Sequence, residues 1–361
     1  MKHITVYREP GRYAGWPANY GIWSWGDEIV VGYTLGYHDP SAGFHARDRS
    51  RPFVTMQARS VDGGESWESI PMPLHTPVGS LSAGEHMTEE LAALQKSQQL
   101  EVNYVQEPID FAHPDFALMF AREGVVGGSK SWIYTSSDRC HSWHGPYLLP
   151  QMGLMGVAAR TDYVVSSSNE CTFFLTAPTK AGSEIGSRTF SARTKDGGKT
   201  IQFQSWISPE IEDGFNIMPA AVRLSDSHIV VATRERSMTQ GEKNWIDLYS
   251  STDDGATWTY VNRPVADTGH GGNPPTLTKL IDGRLCLIYA YRDAPFGMRA
   301  KLSDDNGITW SDEIVLRSDA GSHDIGYPRT VQREDGTIVT VYYYNDELAG
   351  SCYIAATLWK P

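Results

Sequence analysis

One eight-residue frame, written five times, constrains this chain more than any other feature. Ser60-Val61-Asp62-Gly63-Gly64-Glu65-Ser66-Trp67 is its cleanest copy. STDDGATW at 251–258 and SDDNGITW at 303–310 repeat the pattern Ser-x-Asp-x-Gly-x-x-Trp. SSDRCHSW at 136–143 places Cys140 in the glycine slot, and TKDGGKTI at 194–201 places Ile201 in the tryptophan slot. A repeat of this length decides the architecture, so it is read first. An Asp side chain bonds the backbone a little further along, and Gly supplies positive φ, so the frame predicts a tight turn between strands. The Trp carries a large apolar surface to the neighbouring unit. The frame is therefore read as a structural fastener, not as a functional site.

Between the boxes the same order of strand patterns recurs. The first unit runs ANYGIWSW, EIVVGYTLG, FVTMQARS, box, WESI, and the fourth runs NIMPAAVRL, HIVVATRE, WIDLYSS, box, WTYV. The fifth runs PPTLTKL, RLCLIYAY, MRAKLS, box, WSDEIVL. The second and third are looser, and the sixth (YPRTVQR, TIVTVYYYN, YIAATLW) stops at Pro361 without a box. HITVYRE near the N-terminus supplies the missing outer strand, which closes the ring and protects both edges. The fold class expected is all-β: a six-bladed β-propeller filling residues 1–361 as one domain. The interval from Trp67 to Trp143 is the longest, and its excess is read as an insertion over about 76–107. That insertion holds a helix signal at 88–100, with Thr88 as cap and Glu89 and Glu90 in the first turn.

Composition narrows the partners. The 34 Gly and 20 Pro among 361 residues suit a fold of many turns, and the net charge of −12 comes without a basic run. Nucleic acid and membrane surfaces are not expected as partners. Cys140, Cys171, Cys286 and Cys352 are scattered without metal spacing and read as buried thiols. No metal signature and no phosphate-binding glycine loop is present, so no cofactor is expected. No apolar stretch follows Met1 and none approaches about 18 residues, so the chain is expected to be soluble, either cytoplasmic or processed after secretion.

The boxes, the six units and the closing strand resemble the sialidase (neuraminidase) superfamily, most closely the bacterial sialidase-like proteins with BNR/Asp-box repeats. The resemblance implies an axial pocket with three arginines on a carboxylate, a Tyr nucleophile activated by a Glu, and an Asp acid/base. Carried over residue by residue, it implies Asp48 for the acid/base, Tyr327 for the nucleophile and Arg234 for the second arginine. Arg292 and Arg299 compete for the third. Two positions depart from the pattern. Gly15-Trp16-Pro17 stands where the first arginine is expected, and Met218 stands where the Glu is expected. Glu235, Glu184 and Asp324 are the carboxylates available to replace it.

The residues add further candidates. His38 ends the second strand of its unit, as Arg234 and Arg292 do. His113, in the run Pro108–Phe116, is expected at the mouth of the second inner strand, with an imidazole suited to acid/base work near neutral pH. Arg160 and Asp162 open the third inner strand, Asn273 opens the fifth, and Trp16 is a candidate sugar platform. The function expected is exo-acting hydrolysis of a terminal acidic or deoxy sugar, with a carbohydrate, and an anionic one, as partner. A polysaccharide lyase using His38 or His113 with Tyr327 and Arg234, and a non-catalytic carbohydrate-binding propeller, stand as alternatives.

Overall fold

Each box closes the turn between the last two strands of a sheet. In the first copy the Ser60 hydroxyl donates to Asp62 and accepts the Gly64 N–H at 2.8 Å, while Asp62 accepts the N–H and hydroxyl of Ser66. The same four bonds recur in the other copies. Cys140 takes the left-handed backbone of the glycine slot at φ 64°.

The computed structural model describes residues 1–75, 82–96, 103–348 and 350–361. Strand β1 (Lys2–Tyr7) opens the chain. Blade 1 holds β2 (Arg12–Gly15), β3 (Ile22–Trp25), β4 (Glu28–Tyr37), β5 (Val54–Ser60) and β6 (Glu68–Pro71). Blade 2 holds β7 (Ala117–Arg122), β8 (Ser131–Ser136) and β9 (His144–Leu148). Blade 3 holds β10 (Tyr163–Val165), β11 (Cys171–Ala177), β12 (Arg188–Thr194) and β13 (Gln202–Trp206). Blade 4 holds β14 (Gly214–Arg223), β15 (Ile229–Ser237), β16 (Lys243–Ser251) and β17 (Thr259–Val265). Blade 5 holds β18 (Thr276–Lys279), β19 (Leu285–Tyr291), β20 (Gly297–Ser303) and β21 (Ile314–Arg317). Blade 6 holds β22 (Gly326–Gln332), β23 (Ile338–Tyr344) and β24 (Tyr353–Trp359), with β1 paired to β24 as its outermost strand. Six antiparallel sheets in a ring make a six-bladed propeller, closed by the N-terminal strand as expected.

The core lies between blades. Leu118, Phe120 and Ile133 of blade 2 pack with Phe173, Leu175 and Phe190 of blade 3. Second strands such as β11 and β23 are buried along their whole length, which is why they read as continuous apolar runs instead of alternating ones.

One feature differs from the sequence reading. Blade 2 has no inner strand among the described residues. The N–H groups of Leu118 and Phe120 on the inner edge of β7 donate to the Tyr163 hydroxyl (3.3 Å) and the Thr161 Oγ1 (3.0 Å), and that of Arg122 donates to Ser82 Oγ (3.3 Å). Three hydroxyls thus replace a strand, and a buried edge stays satisfied. The expected helix forms as α1 over Glu89–Lys96, and Thr88 Oγ1 caps it by accepting the Leu91 N–H at 3.3 Å. The expected continuation lies at 97–100, outside the described residues.

Candidate functional site

Three inner strands break at the same level, each at a residue that precedes proline. Trp16, Met218 and Tyr327 hold φ of 60°, 55° and 51°. Left-handed backbone at a bulky residue is uncommon and costs roughly 1–3 kcal/mol. The pairing of β14 with β15 slips between Ile217 and Ala220, that of β22 with β23 slips between Gly326 and Arg329, and blade 1 splits its inner strand into β2 and β3. Irregularities of this kind re-aim side chains. Here they bring Tyr327 and Met218 into contact.

Tyr327 is the centre of the site. Arg234 Nη1 donates to its hydroxyl at 3.3 Å and sits 3.8 Å from the Met218 sulfur. Burial pushes the Tyr327 phenol up, but the guanidinium charges of Arg234, Arg292 and Arg160 outweigh it and leave the group below the usual tyrosine value. The Glu184 carboxylate acts in the opposite sense on Tyr327, and its Oε1 is 3.8 Å from Arg160 Nη2. Asn273 holds the Tyr327 backbone: its Oδ1 accepts the Tyr327 N–H at 3.2 Å and its Nδ2 donates to the Ile325 carbonyl at 3.1 Å. Gly326 is required there, because an added Cβ would lie 2.3 Å from that Nδ2.

A second cluster adjoins it. His45 Nδ1 lies 2.6 Å from Asp324 Oδ1, and Asp324 also accepts the hydroxyls of Tyr343 (2.9 Å) and Tyr13 (3.1 Å). Burial raises the Asp324 carboxyl, yet the contacts with His45, Arg292 and Tyr343 win and hold it well below the carboxylate range. Burial keeps His45 lowered despite Asp324, so the imidazole is neutral near pH 7 with Nδ1–H donating to the carboxylate. Arg292 links the clusters, donating to the Tyr343 hydroxyl and to the Ile325 and Gly272 carbonyls.

The structure redistributes the candidates read from sequence. Arg234, Tyr327, Arg160 and Asn273 converge. Arg292 lies beside them, but its N–H groups are spent on backbone and Tyr343. Trp16 is fully buried with His86 stacked flat on it at 3.8 Å, so its face is closed to a sugar. Asp162 lies deeper on the axis, in an ion pair with Arg329 (3.6 Å) beside a cavity of about 300 Å³ lined by Thr161, Thr276 and Thr330. Burial raises Asp162 to about 7, against the pull of Arg329. Arg299 is directed outward within blade 5, to Glu313 (3.0 Å) and the carbonyls of Arg317 and Pro295. His113 is not at an inner strand, because blade 2 has none among the described residues. Its loop packs under the boxes: Ile109 N–H donates to Gly197, and Arg139 of the second box pairs with Asp115. Asp48 caps its own loop through Ser50, and His38 bridges to Arg47 at the rim. Of the carboxylates offered as substitutes, Glu235 accepts Thr233 Oγ1 inside blade 4, away from the axis.

Three side chains were missed. Arg122, Glu85 and His86 reach the pocket from blade 2 and the insertion, with Arg122 paired to Glu85. Arg122 ends β7 as His38 and Arg292 directly follow β4 and β19, so the strand-end equivalence that singled out His38 also points to it.

Residues 87–340 match the family described as BNR repeat-like domain. No curated protein matches the chain. Among solved structures, a protein of unknown function from Dyadobacter fermentans superposes with a TM-score of 0.74 at 20% identity, covering 99% of this chain and 97% of that one. An α-L-arabinanase from Penicillium chrysogenum, complexed with arabinobiose, gives 0.64 at 11% identity over 100% and 98%. The NanB sialidase of Streptococcus pneumoniae gives 0.58 at 13% identity over 98% and 70%. At these identities the likeness is one of fold.

Proposed function

Since the chain belongs to the BNR repeat-like domain family, we propose that it is a carbohydrate-active enzyme that cleaves the glycosidic bond of a terminal anionic sugar held in the axial pocket. One observation carries this reading: a half-buried tyrosine faces three guanidinium groups that lower its pKa, at the point where three inner strands are bent. Arginine is the natural partner of a carboxylate, and a phenol below its usual pKa is a better nucleophile or proton donor at neutral pH. The structural neighbours, an α-L-arabinanase and a sialidase, support a carbohydrate ligand, and the anionic character rests on the arginines alone.

The leading reaction is exo-acting hydrolysis with Tyr327 as nucleophile and Arg234 on the sugar's acidic group. Met218 leaves Tyr327 without the adjoining carboxylate that the sialidase resemblance implies, so aryl glycosides of N-acetylneuraminic acid are expected to be poor substrates. The same substitution, with the His45–Asp324 pair, favours a second reading, β-elimination from a uronate. There His45 Nε2 takes the proton from the carbon bearing the carboxylate, the electron pair forms the carbon–carbon double bond, the glycosidic C–O bond breaks, and Tyr327 protonates the leaving oxygen.

A panel of aryl uronides, aryl sialosides, arabinofuranosides and uronate-containing oligosaccharides tests the proposal. Hydrolysis releases the aglycone or a saturated sugar. Elimination yields an ultraviolet-absorbing unsaturated uronate. Binding to the panel without turnover by either route would sink the enzymatic reading.

A further inference from the structure

Blade 2 delivers to the pocket a charge that the reading above leaves unused. Arg122, the last residue of β7, has a side chain 1% exposed. Because no inner strand covers β7 among the described residues, its last residue has access to the axis. Ser82 anchors its backbone at both N–H and carbonyl. Its Nη2 pairs with Glu85, but Nε and Nη1 are buried with no partner among the described residues. Arg160 repeats the situation: Nε donates to Asn19 at 3.3 Å, while the buried Nη1 has no described partner.

The two guanidinium groups are neighbours. Burial and then repulsion from Arg122 lower Arg160 to about 10, against the attraction of Glu184, Tyr327 and Glu85. A structural arginine looks different. Arg292 and Arg299, equally buried, spend their N–H groups on backbone carbonyls and on Tyr343 or Glu313. Two buried like charges with donors left open are an unfilled demand for an anion. Acceptors of the protein's own nearby fall short: Glu184 is 3.8 Å from Arg160, and Glu85 engages Arg122 through one oxygen only, its Oε2 being buried without a described partner.

We propose that Arg122 and Arg160 form a second anion-binding point, on the blade 2 and blade 3 side of the pocket, for a carboxylate or sulfate substituent of the bound saccharide. Glu85 is the resident competitor at this point, and it holds Arg122 in place while the site is empty of substrate. The saccharide nature of the ligand rests on the carbohydrate reading above; the anion point itself rests on the open donors.

Calorimetric titration of the full chain with D-glucuronate, glucose 6-sulfate and D-glucose tests it, with circular dichroism to verify folding. An anionic probe should bind at least about tenfold more tightly than glucose, the preferred one identifying carboxylate or sulfate as the substituent. Arg122→Gln should weaken that probe about tenfold and leave glucose unchanged, and Arg122→Lys should restore only part of the loss. Glu85→Gln should tighten anion binding several-fold, because it removes the competing carboxylate; a purely structural pair would show no gain. Folded Arg122→Gln that binds the anions as wild type does, or Glu85→Gln that weakens them, overturns the proposal. Should Arg122→Gln fail to fold, the Arg122→Lys and Glu85→Gln titrations decide it alone. Glucose bound as tightly as the anions would overturn this inference while leaving the carbohydrate reading in place. A wild-type chain that binds no saccharide of the panel would remove both.

Discussion

At the box end of the ring, Ser60, Ser136, Thr194, Ser251 and Ser303 each accept the N–H four residues on, at 2.8 or 2.9 Å, and the Asp of each box is bonded the same way. At the other end, where inner strands begin and second strands finish, no single pattern serves all the blades. Trp16, Met218 and Tyr327 carry left-handed backbone, and buried guanidinium N–H groups of Arg122, Arg160 and Arg234 have no described partner. The box end satisfies five of the six blades locally and identically, and the paired N-terminal strand closes the sixth. Left-handed non-glycine backbone occurs in the boxes too, at Arg139, Cys140, Asp254 and Asn306, but always in the same turn slots; the pocket end instead places it at bulky residues of inner strands and gathers open guanidinium donors around one tyrosine. Five equal turns carry the fold; one unequal rim carries the site.

The largest expected effect falls on the unequal rim. Tyr327→Phe should lower kcat by about 10²–10⁴-fold, the scale of a lost proton-transfer or nucleophilic group, with little change in melting temperature; steady-state kinetics on the best substrate of the panel checks it. Arg234→Ala should cost roughly 2–3 kcal/mol in kcat/KM, and Arg234→Lys should recover only part, because an ammonium cannot reproduce the guanidinium fork. Equal recovery by Lys would mean that only charge matters there.

Smaller effects test the box end. Asp253→Ala should lower unfolding free energy by about 1 kcal/mol and leave substrate preference unchanged; denaturant unfolding measures the first part. The two ends also titrate with opposite sign. Bonds from Thr257 and Ser251 hold Asp253 at about 2, and Asp62 and Asp138 are likewise at about 2. These groups are depressed in the fold, so their contribution is present above the usual carboxylate value and is lost as pH falls from about 4 towards 2. Asp162 is raised to about 7 by burial. The folded state therefore holds its proton longer than the unfolded state does, and stability declines as pH rises from about 4 to 7. Asp253→Asn should flatten part of the acid limb, and Asp162→Asn should abolish part of the decline towards neutrality. Unfolding across pH 2–8 separates the two slopes.

This contrast also explains what the sequence made legible. The propeller was readable because a fivefold repeat states its own period and each second strand is a continuous apolar run. Arg234, Tyr327 and Asn273 were readable because position in a repeated unit fixes position in space. The lack of an inner strand in blade 2 among the described residues was not, since the edge of β7 is satisfied by the hydroxyls of Ser82, Thr161 and Tyr163, residue types found in any loop. That one substitution misplaced His113 by assigning its loop to an inner strand, and it concealed Arg122. Glu85 and His86 were hidden because an insertion has no counterpart in the other units. Arg292 and Arg299 could not be ranked from sequence, because what separates them is the direction of each side chain relative to its own blade.

The division of labour between the two ends is tested most directly by placing Tyr327→Phe and Asp253→Ala side by side, measuring turnover and melting temperature for both in one buffer. The account predicts a crossed result: Tyr327→Phe loses turnover and keeps the wild-type melting temperature, while Asp253→Ala keeps turnover per folded molecule and melts lower. Full turnover by Tyr327→Phe, or selective loss of turnover in folded Asp253→Ala, would contradict it.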